Sequence, residues 1–323
     1  MLPVRKLGTN GPELTEIGFG AWAIGGPWRF GWGKQDDNES LAAIGAALAG
    51  GVNWIDTAAA YGLGHSEELV ARAVKGKRDR VFVATKGGIV WDDKGRVKFS
   101  IQPQSLKQEF ENSLRRLNTD YIDLYQIHWP DGKTPVAAAW EVLLKLKQDK
   151  RARYIGVSNF DVEQLEECLR LGPVDSLQPP YNLVKRRAER ELFPFCREQG
   201  IGVVAYSPMM SGLLTGRFDT SRMAQDDWRR GSKYFMEPML AKALEFVEEL
   251  RPVAVGYGKT PAELAIAWVL SHETVTAAIV GARRPGQVEG ILGGTGWKLK
   301  DEDLAKIDEI SDRLLGEEAF RDL

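Results

Sequence analysis

The sequence predicts an α/β protein, a parallel (β/α)8 barrel, because strand and helix patterns alternate along almost all of its 323 residues. Short apolar runs have the length and composition of buried strands, and segments with apolar residues at helical spacing lie between them. A doubly wound open sheet is the competing arrangement. Since barrels of this length commonly form one domain, we expect a single domain over 1–323.

The strands are predicted in chain order from apolar runs that are bounded by polar residues or turn signals. An N-terminal β-hairpin is expected at 4–7 and 14–17. The barrel strands are then predicted at 19–22, 52–55, 81–85, 122–127, 154–157, 176–178, 201–206 and 277–280. Eight such strands suffice to close a barrel.

The helices between the strands carry their own start and stop signals. The first has Leu41, Ile44 and Leu48 on one face and ends before Gly50 and Gly51. Later helices begin with capping patterns, one at 161–164 and one at 260–263, the second with proline at the first helical position. The helix-rich stretch 238–271 is predicted to be an insertion or a two-helix unit.

Two connections exceed ordinary loop length, 24–38 and 207–237. Both follow the carboxyl ends of predicted strands, which is the face where a barrel of this kind carries its site. We therefore expect long loops at the C-terminal face to form part of that site.

Composition and charge exclude several classes of function. A net charge of −2 gives no basic field for nucleic acid. The N-terminus lacks the apolar core of a signal peptide and no run is long enough to span a membrane, so we expect a cytoplasmic protein. Cys168 and Cys196 lack metal or redox spacing and are interpreted as free thiols. The three histidines fit no zinc motif, so no metal is expected.

Four polar residues stand out as candidate catalytic groups: Asp56, Tyr61, Lys86 and His128. Asp56, Lys86 and His128 each come directly after a predicted strand. Because the carboxyl ends of parallel strands share one rim, these side chains should converge with Tyr61. A carboxylate, a phenol, an ammonium and an imidazole together suit proton transfer to or from a carbonyl oxygen.

Each group has a distinct chemical part in this hypothesis. Tyr61 is the general acid, and Lys86 is expected to lower the pKa of its phenol by favouring the phenolate. Asp56 keeps Lys86 charged, and His128 orients the carbonyl. Taken singly, these residues also fit a helix cap, a turn, an exposed strand exit and a core histidine; their joint placement favours the chemistry.

The segment 56–62, Asp-Thr-Ala-Ala-Ala-Tyr-Gly, together with Lys86 and His128, resembles the aldo-keto reductase superfamily. Further matching phrases lie at 127–131, 155–160 and 206–208. The likeness covers nearly the whole chain and points to the bacterial branch of general-stress and sugar-aldehyde reductases. It implies a TIM barrel and reversible reduction of a small-molecule aldehyde or ketone with NADPH/NADP⁺, NADH being possible.

The resemblance also implies a set of cofactor contacts, which lie at strand ends and on the loops that follow them. These positions are Ala21, Trp22, Asp56, Ser158, Asn159, Gln178, Tyr206, Ser207, Pro208, Met209, Gly212, Leu213, Gly216, Arg217, Gly281, Arg283 and Gln287. Arg283 suits the 2′-phosphate of NADP(H). Gly290 and Ile291 depart from the acidic residue and Asn or Ala usual there, so NADP preference is expected to be weaker than is typical.

Tryptophans near strand ends are the candidates for the wall of the substrate pocket: Trp22, Trp28, Trp32, Trp91 and Trp129. Two other functions remain open from the residues. Lys86 could form a Schiff base, as in an aldolase, although a neighbouring Asp56 would raise its pKa. The chain could also be a cofactor-binding regulatory module, since channel β-subunits resemble these reductases.

Overall fold

The computed structural model describes residues 1–223, 225 and 227–320, and its twelve strands form a closed barrel and two small hairpins. In chain order the strands are β1 (Val4–Lys6), β2 (Glu13–Thr15), β3 (Ile17–Gly20), β4 (Trp54–Asp56), β5 (Phe82–Gly87), β6 (Ile89–Trp91), β7 (Val97–Phe99), β8 (Ile122–Ile127), β9 (Ala152–Ser158), β10 (Ser176–Gln178), β11 (Gly202–Tyr206) and β12 (Val275–Gly281). The barrel runs β3-β4-β5-β8-β9-β10-β11-β12 and closes from β12 to β3, with all neighbours parallel. The predicted (β/α)8 barrel is confirmed, and the open sheet is excluded.

Helices connect the barrel strands. In the part of the chain that is described they are α1 (Asp37–Ala49), α2 (His65–Ala73), α3 (Pro103–Leu117), α4 (Val136–Gln148), α5 (Val162–Leu169), α6 (Leu192–Gln199), α7 (Met239–Gly256), α8 (Pro261–Ser271), α9 (Pro285–Leu292) and α10 (Asp301–Leu314). The stretch predicted as an insertion or two-helix unit is α7 followed by α8. Both predicted capping boxes form, at Asp161 with Gln164 and at Thr260 with Glu263. None of the helices described is long and apolar enough to cross a membrane.

The bottom of the barrel is plugged by the hairpin of β1 and β2. Leu7 and Leu14 from this hairpin pack into the barrel interior against Trp54 and Leu124. The Trp54 indole donates to the Thr15 carbonyl at 2.9 Å. Since alternate residues of a strand face the same side, Trp54 in the lower layer places Asp56 in the layer above it.

Several boundaries differ from the sequence prediction. β3 ends at Gly20, and Ala21 and Trp22 fall in a 3-10 turn over Ala21–Ile24. The hairpin of β6 and β7 was not predicted, because each strand has only three residues and their pattern resembles a loop. Positions 224 and 226 of the predicted 207–237 loop, and 321–323 of the predicted domain, lie outside the described residues.

A substitution in the hairpin that plugs the barrel tests the stability of the fold separately from the residues at the carboxyl ends of the strands. Replacing the fully buried Leu14 with alanine should lower the free energy of unfolding by about 2 to 5 kcal/mol, because it removes apolar contacts and leaves a cavity. Urea unfolding measures this loss. Turnover per folded molecule should stay near the parent value, since Leu14 is at the end of the barrel away from the strand carboxyl ends; a large loss of turnover would show that the plug shapes the rim.

Candidate active site

A cavity of about 340 Å³ opens at the carboxyl ends of the barrel strands. Seven of the eight strands supply a lining residue at or directly after their last position: Gly20, Asp56, His128, Ser158, Gln178, Tyr206 and Gly281. The remaining strand, β5, carries Lys86, which lies beneath the cavity floor and is completely buried. The structure therefore brings together the polar residues that the sequence places at strand ends.

The floor of the cavity rests on a buried ion pair between Lys86 and Asp56. Lys86 Nζ lies 2.6 Å from Asp56 Oδ1 and 2.8 Å from Oδ2, and it also donates to the Thr57 carbonyl at 2.9 Å. Gln178 Nε2 donates to Asp56 Oδ2 at 3.0 Å. Both charges are thus compensated by polar partners, which a buried pair requires.

Tyr61 stands above this pair and lines the cavity. Its hydroxyl is 3.4 Å from Lys86 Nζ, the longest of the contacts that this ammonium makes. The segment leading to Tyr61 is fixed on β5, since the Thr57 amide donates to the Ala84 carbonyl at 2.9 Å. Gly62 follows with φ of +60°, and a Cβ there would lie 1.7 Å from the Gly25 carbonyl oxygen. Glycine is therefore required directly after the phenol.

The charges in this group differ from the sequence expectation. Burial, and next the charge of Asp56, raise the pKa of Tyr61 well above its ordinary value. Burial also raises the pKa of Asp56 and lowers the pKa of Lys86, while the ion pair between them opposes both shifts. The expected lowering of the Tyr61 pKa by Lys86 is wrong for this state, because burial and then the charge of Asp56 raise that pKa instead. The phenol keeps its proton.

His128 faces Tyr61 across the cavity, with the two ring centres 5.5 Å apart in an edge-on arrangement. Burial, and then the charge of Lys86, lower the pKa of His128 well below its ordinary value. The imidazole is therefore neutral. Its Nδ1 is buried and has no hydrogen-bond partner among the described residues. A neutral imidazole carries one N–H, which can be donated to a carbonyl oxygen beside Tyr61.

Beside His128, Ser158, Asn159 and Tyr206 form a chain of hydrogen bonds. Asn159 Nδ2 donates to the His128 carbonyl at 3.0 Å and to Ser158 Oγ at 2.9 Å, and the Tyr206 hydroxyl donates to Asn159 Oδ1 at 2.8 Å. Ser158 Oγ in turn donates to the Gln178 carbonyl at 2.8 Å. All N–H and O–H groups of the Ser158 and Asn159 side chains are thus already bonded. Their side-chain oxygens can still accept hydrogen bonds.

The loop after β11 has unusual backbone conformations where it borders the cavity. Ser207, Met210 and Ser211 have φ of 57°, 47° and 50°, and Gly212 follows with 95°. Arg229, from the same loop, donates to the Ser211 carbonyl at 2.9 Å and lies 5.0 Å from the centre of the Trp32 ring. Cofactor candidates Ser207, Pro208, Met209 and Gly212 line the cavity.

Other cofactor candidates lie off the cavity. Ala21 and Leu213 are fully buried in the core, and Gly216 packs against Pro261, so any contact from these three would be through backbone atoms. Arg217 is exposed.

The β12–α9 turn, where the sequence places the adenosine end of a cofactor, is tightly bonded. Gln287 Oε1 accepts the amide of Arg283 at 2.8 Å and that of Arg284 at 3.2 Å. Arg283 and Gln287 lie outside the cavity lining. Ile291 is buried in the core, and Gly290 has open space around its Cα, so neither offers a polar group there.

Aromatic rings form most of the cavity wall. Of the predicted tryptophans, Trp22, Trp28, Trp32 and Trp129 line it. Trp91 is a correction: it stands at the turn end of the β6–β7 hairpin, paired with Val97, and lies outside the lining, beside Arg116. Lining residues that the sequence did not identify include Phe30, Ile89, Phe99 and Trp228. Phe99 becomes visible only with the β6–β7 hairpin, which the turn at Asp92-Asp93-Lys94-Gly95 could have indicated.

The residues present fit a nicotinamide coenzyme. The cavity is lined by Tyr61, Ser158 and Gln178 and also by the glycines Gly20, Gly212 and Gly281. The donor groups of Ser158 and Asn159 are already used, so their oxygens can accept hydrogen bonds from the NH2 group of a carboxamide. The glycines allow phosphate oxygens to approach the backbone. Within the described ranges, no three His, Cys, Asp or Glu side chains are grouped so as to hold a metal.

A buried carboxylate supports the floor from outside the barrel. Glu109 on α3 accepts the Gly88 amide at 2.9 Å and the Ser105 hydroxyl at 3.1 Å. Gly88 joins β5 to β6, and the preceding Gly87 carbonyl accepts the His128 amide at 2.8 Å. Glu109 therefore holds the turn that links Lys86 to the cavity wall and to His128.

Comparison with known proteins agrees with this geometry. The sequence matches the Aldo/keto reductase family over residues 16–312. The aldo-keto reductase YhdN of Bacillus subtilis (strain 168) is 39% identical over 316 residues, which cover 97% of this chain and 94% of that protein. The NADH-specific methylglyoxal reductase of Escherichia coli (strain K12) is 35% identical, with 95% and 98% covered. The structure of the glycerol dehydrogenase AKR11B4 from Gluconobacter oxydans has 40% identity and a TM-score of 0.88, with 97% and 96% covered.

Glu109 gives the fold a measurable pH dependence. Burial raises its pKa to about 7 from an ordinary 4.5, although the Gly88 amide and Arg116 oppose the shift. The folded state thus binds this proton more tightly than the unfolded state, and its stabilisation, complete below about pH 4.5, is lost as the pH rises through about 7. The free energy of unfolding that is lost over this pH range is about 3 kcal/mol. The Glu109→Gln variant should not show this pH-dependent loss of stability.

Urea unfolding of both proteins at about pH 5 and about pH 8 measures this difference. Contributions from all other titrating groups cancel in the comparison. A gap between wild type and Glu109→Gln that stays constant over this range would show that Glu109 does not titrate there.

Proposed function

The chain belongs to the aldo/keto reductase family and is a nicotinamide-dependent carbonyl oxidoreductase, and we propose that Tyr61, Lys86, Asp56 and His128 carry its proton transfer. When bound, the nicotinamide supplies the hydride that the carbonyl carbon receives. The single observation that supports this assignment is the Tyr61 hydroxyl, which lines the cavity directly above the Lys86–Asp56 ion pair.

In the direction of reduction, Tyr61 gives its proton to the carbonyl oxygen as that oxygen gains negative charge. The neutral His128 donates a hydrogen bond to the same oxygen and fixes its direction. The phenolate that remains on Tyr61 lies beside Lys86, which stabilises it until a proton returns from solvent. In the direction of oxidation, the same phenolate accepts the proton of an alcohol.

Residues on three further strands are proposed to hold the coenzyme. Ser158, Asn159 and Gln178 present acceptors to the carboxamide, and Tyr206 supplies an aromatic face for the nicotinamide ring. The Tyr206 hydroxyl bond to Asn159 sets the orientation of that ring. The backbone from Ser207 to Gly212 is proposed to hold the pyrophosphate, with Trp22, Gly216, Arg217 and Gly281 beside it, and Arg283 and Gln287 form the adenosine end.

The substrates proposed are small carbonyl compounds. Trp28 and Trp129 give the cavity an aromatic wall, which packs equally on aromatic rings and on the C–H faces of short polyols. One relative is named a methylglyoxal reductase and one structural neighbour a glycerol dehydrogenase, so three-carbon oxo-compounds belong in the first screen.

The two other functions are not supported. A Schiff-base lysine must reach its substrate, yet Lys86 is completely buried and its Nζ is bonded to Asp56 and to the Thr57 carbonyl. The relatives reported above are named for reductase and dehydrogenase activity, and none for a regulatory role.

Tyr61→Phe should reduce turnover by at least a hundredfold while coenzyme affinity changes less than about twofold, because the hydroxyl acts only on the transition state. NADPH or NADH oxidation with methylglyoxal, glyceraldehyde and an aromatic aldehyde measures turnover. Fluorescence titration measures coenzyme binding. Tyr257→Phe, which removes a phenol hydroxyl at the end of α7 outside the cavity lining, serves as the control and should leave turnover near the parent value. Retention of more than about a tenth of the turnover would exclude Tyr61 as the acid.

A further inference from the structure

Three hydrogen bonds join the long loop before α1 to the β12–α9 turn. Two of them link Gln35 with Arg283, and the third links Arg283 with the backbone carbonyl of Lys34. Arg283 Nε donates to Gln35 Oε1 at 2.6 Å, and Arg283 Nη2 donates to the Lys34 carbonyl at 2.6 Å. Gln35 Nε2 returns a bond to the Arg283 carbonyl at 2.9 Å. Gln35 therefore holds both the side chain and the main chain of Arg283.

These bonds leave part of the guanidinium free. An arginine has five N–H donors, and the loop uses one on Nε and one on Nη2. The end formed by Nη1 and the second Nη2 hydrogen has no hydrogen bond to the described residues. Two N–H groups in that arrangement match two phosphate oxygens. Among the described residues no carboxylate forms an ion pair with Arg283, although the charge of Glu39 acts on it, so the guanidinium keeps the capacity to bind an anion.

The same loop forms the aromatic wall of the cavity. Trp28 and Trp32 lie a few residues before Gln35 and line the cavity. Trp32 is held from the other side by Arg229, whose guanidinium bonds the Ser211 carbonyl. The wall loop is thus attached to both of the segments to which the coenzyme phosphates are assigned.

We propose that Gln35 is a positioning residue that acts through Arg283: it holds the guanidinium ready for the 2′-phosphate and thereby sets the preference for NADP(H) over NAD(H). This inference rests on the proposed function, which assigns Arg283 to the adenosine end of the coenzyme. Pre-organisation of this kind raises affinity because less side-chain freedom is lost on binding. Since NAD(H) lacks the 2′-phosphate, the effect is confined to NADP(H).

Gln35→Met tests the proposal, because it keeps the length of the side chain and removes both of its bonds to Arg283. The dissociation constants of NADPH and NADH are measured by quenching of tryptophan fluorescence, without substrate. We expect NADPH affinity to fall about three- to tenfold, the loss that one or two hydrogen bonds would give, and NADH affinity to change less than about twofold. Asn38→Ala, an exposed position in the first turn of α1, is the matched control and should change neither.

A second comparison shows whether Gln35 acts through Arg283. In an Arg283→Ala background, Gln35→Met should cause no further loss of NADPH affinity, since the group it positions is gone. Equal weakening of NADPH and NADH, or a further loss in that background, would overturn the proposal.

The remaining outcomes separate this inference from the proposed function. If Arg283→Ala weakens NADPH and Gln35→Met does not, the role of Gln35 is wrong and the coenzyme assignment stands. If Arg283→Ala leaves NADPH binding unchanged, the assignment of Arg283 fails and the role of Gln35 fails with it.

Discussion

The buried ion pair of Lys86 and Asp56 is the interaction on which the rest of the site depends. Removing two charges from water is costly, and their attraction repays this only where the geometry is close and the remaining polar atoms are bonded. Here β4 and β5 are neighbours in the barrel, so the carboxylate meets the ammonium through both oxygens. Gln178 and the Thr57 carbonyl complete the set. Loss of one partner would leave the other charge uncompensated beneath the cavity.

Burial and the two charges of this pair together determine which side chains at the cavity floor carry a proton. Tyr61 keeps its proton because burial, and next the charge of Asp56, raise its pKa, and His128 stays neutral because burial, and then the charge of Lys86, lower its pKa. The phenol of Tyr61 therefore still carries the proton that is proposed to be transferred. Close backbone contact between Gly62 and Gly25 joins the segment that carries this phenol to the start of the loop that forms the aromatic wall.

The sequence predicted the parts of the site that depend on local pattern. Asp56, Lys86 and His128 follow short apolar runs, and parallel strands bring their ends together whatever the loops do. Contacts between distant loops have no such signal. The bonds of Gln35 to Arg283 join positions far apart in the chain, and neither residue shows a pattern that names its partner. Trp91 was predicted wrongly and Phe99 was not identified for a related reason, since the sequence did not reveal the hairpin of the three-residue strands β6 and β7.

The pKa of Tyr61 is likewise a property that local sequence pattern does not predict. Spacing along the chain places an ammonium near the phenol, and an isolated ammonium would lower that pKa. Burial and the charge of Asp56 act in the opposite direction and are properties of the folded environment. Lys86 therefore does not activate Tyr61 in the resting state. In the proposed mechanism Lys86 contributes once the proton has left Tyr61, because a phenolate 3.4 Å from Nζ is stabilised more than a phenol at the same distance. An interaction that strengthens only as charge develops lowers the barrier without first favouring the wrong protonation state.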